Sequence, residues 1–177
     1  MSNDLKFSDQ ALALVKNIMT RYPEGKHKSA LLPTLHIAQA EFGGWLSAPT
    51  MDYVASVLGI KPIEVYEVAS FYTMFNLKPV GKCVIEICRT GPCWLVGADD
   101  IVKYFEQKLG IEVGETTADG MFTLKTVECL AACGFGPVCQ IGQTYHENLT
   151  PESVDALIEH HRTHTHEPIS HWAKEHI

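Results

Sequence analysis

The sequence predicts an α/β protein in which a small bundle of helices, residues 1–80, precedes a sandwich of strands and helices, residues 81–163. Three observations carry this. Through the N-terminal part, apolar residues recur at helical spacing and are cut by proline and glycine. From Lys82 onward short β-branched runs take over, in the order strand, helix, strand, strand, helix. Between the two patterns stands Pro79-Val80-Gly81, a punctuation suited to a boundary.

Taken in order, Ser8 is a helix cap followed by Ala11, Leu14, Val15 and Ile18 on one face, until Pro23 and Gly25 stop the pattern. A second helix runs from about Ser29 to Phe42, with Pro33 tolerated near its first turn and Gly43-Gly44 closing it. Ser47 caps a third that begins at Pro49 and ends at Leu58-Gly59, and Pro62 opens a fourth holding Ile63, Val65, Tyr66, Ala69 and Ser70. Then KCVIEIC reads as a strand, Trp94 to Leu109 as one helix despite Gly97, Met121 to Glu128 as a second strand, and PVCQIG as a third with a short return through Tyr145. Thr150-Pro151 starts the last helix, with Val154, Leu157 and Ile158 on one face. The tail, residues 164–177, belongs to a stretch holding six of the nine histidines that matches no zinc-protease motif; it is read as a solvated extension.

Composition narrows the function classes. A hydrophobic content of 46% over 177 residues supports a packed core without a membrane span, and the N-terminal stretch offers no signal peptide. A net charge of −7 leaves no basic stripe, so nucleic acid is not an expected partner. A reducing, cytosol-like compartment disfavours a disulfide framework for the six cysteines, which makes metal ligation the leading reading of any cluster among them.

Such a cluster exists. Cys88 and Cys93 are separated by four residues, Cys129 and Cys133 by three, and each pair stands where a predicted strand runs into a loop. Two loops at the same end of neighbouring strands can present four sulfurs around an iron–sulfur cluster, with Cys88 and Cys93 on one iron and Cys129 and Cys133 on the other. Gly91, Gly134 and Gly136 would let backbone N–H groups approach the sulfurs, and the start of the Trp94 helix offers further donors. Spacing alone leaves a structural zinc site open. A thioredoxin-type enzyme would need C-x-x-C, which is absent, and a Cys/His nucleophile would explain one cysteine and not two pairs. Cys83 and Cys139 fall inside predicted strands and read as buried, inert thiols. The lone G-x-G of CGFGP is no dinucleotide fingerprint, so substrate chemistry is expected on a partner chain.

CRTGPCWLVGA together with ECLAACGFGP, preceded by EVASFYTMF, resembles the E-subunit family of bacterial NADH-quinone oxidoreductase, in the peripheral arm of respiratory complex I. The likeness runs from about Leu12 to Leu157 and includes SALLPTLHIAQAEFGGW and KPIEVYEVASFYTMF. It implies a thioredoxin-like 2Fe-2S ferredoxin domain behind a helical bundle that docks on the flavin- and NADH-binding F subunit. Carried over by position, the ligands are Cys88, Cys93, Cys129 and Cys133; FMN and NADH belong to the partner, and this chain carries electrons with no substrate site of its own. The family further implies a place in the larger peripheral arm, on the cytoplasmic face of the inner membrane without insertion into it. Leu95, Gly97, Glu128, Leu130, Gly134 and Pro137 also fall where that family places such residues, whereas Cys83, Cys139 and Arg89 stand outside its motif. Because Arg89 follows a ligand directly, its cation is expected to favour the reduced cluster, so that Arg89→Gln would lower the reduction potential. The same pattern occurs in small subunits of NAD-linked formate dehydrogenases and hydrogenases, and a zinc-binding docking module is the alternative of a different class.

Overall fold

A computed structural model describes residues 5–164, so of the histidine-rich tail only His164 is included and residues 165–177 lie outside the described residues. The chain divides into two units, one ending at Pro79 and the other starting at Val80.

The first unit is built of α1 (Asp9–Met19), α2 (Leu31–Glu41), α3 (Ala48–Leu58) and α4 (Pro62–Phe71). Ser8 accepts the Ala11 N–H at 3.2 Å and Ser47 the Thr50 N–H at 3.2 Å, each satisfying a donor that a helix start leaves without a partner. The expected beginning of α2 instead forms a separate 3-10 turn, His27–Ala30. Pro33 explains this: it has no N–H to give the Ser29 carbonyl, so the chain before it tightens to the shorter register. Val15, Ile18, Leu35, Leu46, Val54, Leu58 and Val65 form the core. Buried Gln39 adds a polar clamp, donating to the Met74 carbonyl at 3.0 Å and accepting the Asn76 N–H at 2.7 Å, which ties the segment after α4 to α2.

In the second unit β1 (Cys83–Cys88), β2 (Phe122–Val127), β3 (Cys139–Ile141) and β4 (Thr144–His146) form one sheet in the order β2-β1-β3-β4. β1 and β2 are parallel with Cys88 opposite Val127, and β3 runs antiparallel to β1 with Cys139 opposite Ile87. The return through Tyr145 becomes the fourth strand; it carries no apolar alternation and pairs only through the tight turn at Gly142-Gln143. Where one helix was expected from Trp94 to Leu109 there are two, α5 (Gly91–Leu95) and α6 (Ala98–Leu109). Gly97 makes the break, with φ at 94° in the left-handed region, where it caps α6. From α6, Ile101 and Phe105 pack with Ile85, Ile87, Phe122 and Leu124 of the sheet, and α7 (Pro151–Thr163) adds Val154 and Ile158 to the same face.

This arrangement sets the position of the site. In a parallel β–α–β unit the carboxyl ends of the strands lie together, and the loops beyond them are where such folds place chemistry. Cys88 is the last residue of β1 and Cys129 lies in the loop just past β2.

Candidate metal centre

The four expected thiols come from three short pieces of backbone: Cys88 from the end of β1, Cys93 from the middle of α5, and Cys129 and Cys133 from the loop after β2, which closes in a 3-10 turn at Cys133–Phe135. Cys88 and Cys93 are buried and pack with Ala98 and Val138, with Leu130 and Ala132 of the loop against them. Cys129 and Cys133 are exposed. Among the described residues no three His, Cys, Asp or Glu side chains surround a single point; the thiols stand as two pairs. Cys88 and Cys93 interact directly, as do Cys129 and Cys133, and Cys133 also feels the charge of Cys88.

Donors converge on these sulfurs. At Cys88 burial pushes the thiol up, but the Thr90 hydroxyl and the backbone N–H groups of Thr90 and Leu130 outweigh it and hold the group below its ordinary value. Burial, and then the neighbouring Cys88 sulfur, push Cys93 up to about 11, against an opposing N–H from Val138. Contact with Cys129 holds Cys133 up. The Ala131 N–H points at the Cys129 sulfur at 3.3 Å, and Ala131 adopts φ of 60° to bring it there. Paired thiols ringed by N–H and O–H donors suit thiolates gathered around cationic iron and sulfide.

The glycines divide. A Cβ on Gly136 would come within 3.0 Å of Val96 Cγ2 and 3.2 Å of the Cys93 sulfur, so a side chain here would have to push these neighbours aside for the loop to seat against Cys93. Gly91 and Gly134 meet no atom of the chain where a Cβ would stand, so their expected close approach finds no support in the chain's own packing. Cys83 and Cys139 lie in the strand core, away from the four loop thiols. Arg89 lines a hollow of about 290 Å³ with Asp99, Val102, Lys103 and Glu106 of α6. Lys103 joins Asp99 and Glu106 in that lining, so charges of both signs share the hollow with Arg89. Sequence reading missed Leu130 and Val138 as donors, because a backbone N–H is defined by where the chain passes and leaves no mark in the residue type; it also missed the Thr90 hydroxyl, whose residue type was visible two positions after Cys88.

A mixed four-stranded sheet, two helices on one face and paired thiols beyond the parallel strands define a ferredoxin with a thioredoxin-like fold. A family model described as thioredoxin-like 2Fe-2S ferredoxin matches residues 15–162, and the chain belongs to that family, among the E subunits of NADH-quinone oxidoreductase. It is 49% identical over 159 residues to the E subunit of NADH-quinone oxidoreductase from Rickettsia felis, covering 90% of this chain and 95% of that one. It is 45% identical to the mitochondrial NADH dehydrogenase (ubiquinone) flavoprotein 2 of Dictyostelium discoideum, covering 86% of this chain and 62% of the relative. Among solved structures, an NAD+-reducing NiFe-hydrogenase in its H2-reduced state shares the fold at a TM-score of 0.67 and 23% identity, over 80% of this chain and 23% of that one. Among the described residues no helix is long and apolar enough to cross a membrane.

Proposed function

We propose that the chain is an electron-transfer subunit of respiratory complex I that holds one 2Fe-2S cluster on Cys88, Cys93, Cys129 and Cys133 and exchanges single electrons with the flavin of the NADH-binding F subunit. The observation that carries this reading is the pairing of the thiols under converging donors at the carboxyl ends of β1 and β2. A bound cluster supplies a one-electron centre whose potential follows from its charge, hydrogen bonds and exposure. The chain's own residues do the rest. Cys88 and Cys93 are held rigidly by the strand end and the short helix, the N–H groups of Leu130, Ala131 and Val138 spread charge from the sulfurs, and Ala98 and Val138 exclude water from the buried pair.

Beside the thiols stands an apolar rim. Trp94, Leu95 and Val96 are 57%, 76% and 55% exposed, and Phe135 is 53% exposed. Apolar groups of this size left open around a redox site favour a partner chain seated over it, close enough for an electron to cross. The partner holds FMN and NADH, and the helical unit, which turns Ile63 and Phe71 outward, takes part in docking. The assembly places the chain on the cytoplasmic face of the membrane without inserting it. Complex I is favoured over a hydrogenase or formate dehydrogenase by 49% identity over nearly the whole of a complex I subunit.

The test is visible absorption, metal analysis and low-temperature electron paramagnetic resonance on protein purified without oxygen, before and after dithionite. The expected result is a brown protein with about two irons per chain that gains a spin-half signal on reduction, lost when Cys88 or Cys129 is changed to serine. A colourless protein containing zinc would overturn the reading in favour of a structural docking module.

A further inference from the structure

Thr90 occupies the cap position of α5, with φ −79° and ψ 165°, and threonine there ordinarily uses its hydroxyl to accept an N–H from the first turn. It makes no such bond. Its hydroxyl turns to the metal centre instead, lying 3.3 Å from the Cys88 sulfur and in a short contact with the Glu128 carbonyl. The Cys88 sulfur is itself 3.2 Å from that carbonyl. Three polar atoms from β1, α5 and the loop after β2 thus form a closed triangle.

As a free thiol, Cys88 can donate its own proton to the Glu128 carbonyl, and the triangle then holds two protons. As a ligand it has none. Sulfur and carbonyl, 3.2 Å apart as thiol and carbonyl, are then both acceptors, and the Thr90 hydroxyl is the side-chain donor within reach of both. We propose, on the reading of the site given under Proposed function, that the Thr90 hydroxyl is a potential-setting donor that gives its proton to the Cys88 sulfur when the cluster is reduced. Reduction adds one electron, supplied by the flavin of the partner or by the mediator in a titration, and no proton is taken up. The O–H bond stays intact and only turns about the Cβ–Oγ axis, from the carbonyl toward the sulfur whose negative charge has grown. A donor that binds the reduced form better than the oxidised form raises the midpoint potential.

The experiment is a mediated redox titration of the cluster-loaded protein, followed by electron paramagnetic resonance, on wild type, Thr90→Val and Thr90→Ser. Valine keeps the volume and removes the donor; serine keeps the donor. At the wild-type midpoint, T90V is expected to show a reduced-to-oxidised ratio about tenfold lower, a shift of about 59 mV to the negative side for one electron, while T90S stays at the wild-type value. Pulsed resonance of reduced protein after a brief exchange into D2O, too short for hydrogen-bonded amides, should show a deuteron coupling in wild type and T90S that T90V lacks. Equal midpoints in wild type and T90V, or equal shifts in T90V and T90S, overturn the proposal. Where T90V does not retain the cluster, the wild-type deuteron coupling decides by its presence or absence. Iron content of the wild type is read first: its absence would remove the cluster reading itself, whereas a normal cluster with an unmoved midpoint removes only the role of Thr90.

Discussion

Six thiols occupy the second unit, and the side chains around them sort them into two kinds. Cys83 and Cys139, inside the sheet core, are both pushed up to about 12 by burial. Such a shift keeps them protonated near neutral pH and disfavours the thiolate that metal binding and nucleophilic chemistry need. In the unfolded chain the same thiols ionise near about 8.5, so between that value and about 12 the unfolded state releases protons that the folded state keeps. Stability is unaffected below this window and falls as pH rises through it, by roughly 1.4 kcal/mol per pH unit for each thiol. Denaturant titrations from pH 8 to pH 11 should show the decline in wild type and a shallower one in Cys83→Ala/Cys139→Ala; parallel slopes would mean that these thiols ionise normally. The packing of Cys83 and Cys139 was legible in the sequence, since both fall inside short apolar runs that form strands. Arg89 was legible only in part. Its place next to Cys88 was plain, but the hollow it shares with Asp99, Lys103 and Glu106 of α6 could not be foreseen from the chain order.

At the level of elements, the strongest local signals placed the helices well. Ser8, Ser47, Pro62 and Thr150-Pro151 all mark real starts, because a cap acts on donors within its own turn and needs no tertiary partner. The strand pairing was not legible, since three-residue β3 and β4 owe their existence to register with β1 and to each other. Gly97 was read as a glycine tolerated inside a helix, yet it separates α5 from α6. The break lets α5 carry Cys93 beside Cys88 while α6 packs Ile101 and Phe105 against the sheet. At φ of 94° any side chain is strained, so Gly97→Ala should cost about 1–2 kcal/mol. Chemical unfolding followed by circular dichroism measures this, and the variant should also release iron faster because strain relaxes by tilting α5. No loss of stability would show that the break is not fixed by the glycine.

For the whole molecule, a net charge of −7 and an apolar rim pull binding in different directions. Toward an acidic or neutral partner an acidic chain gains little from electrostatic steering, so apolar contact would have to supply the affinity for the proposed flavin-binding subunit. On the proposed function, the rim at Trp94, Leu95, Val96 and Phe135 would couple this contact to electron transfer, since Cys93 and Cys133 sit within the same two short helical pieces. Leu95 is the sharpest probe: at 76% exposed it contributes nothing to the core, so a charge there leaves folding intact. In the interface the same charge would be desolvated without a counter-ion, a loss of about 2 kcal/mol or more. Leu95→Asp should therefore weaken binding to the F subunit by about 30-fold or more, measured by calorimetry, while cluster absorbance and the reduced spin signal keep their wild-type form. Binding that is unchanged, with the cluster intact, would place the partner on another face and separate the docking surface from the thiols.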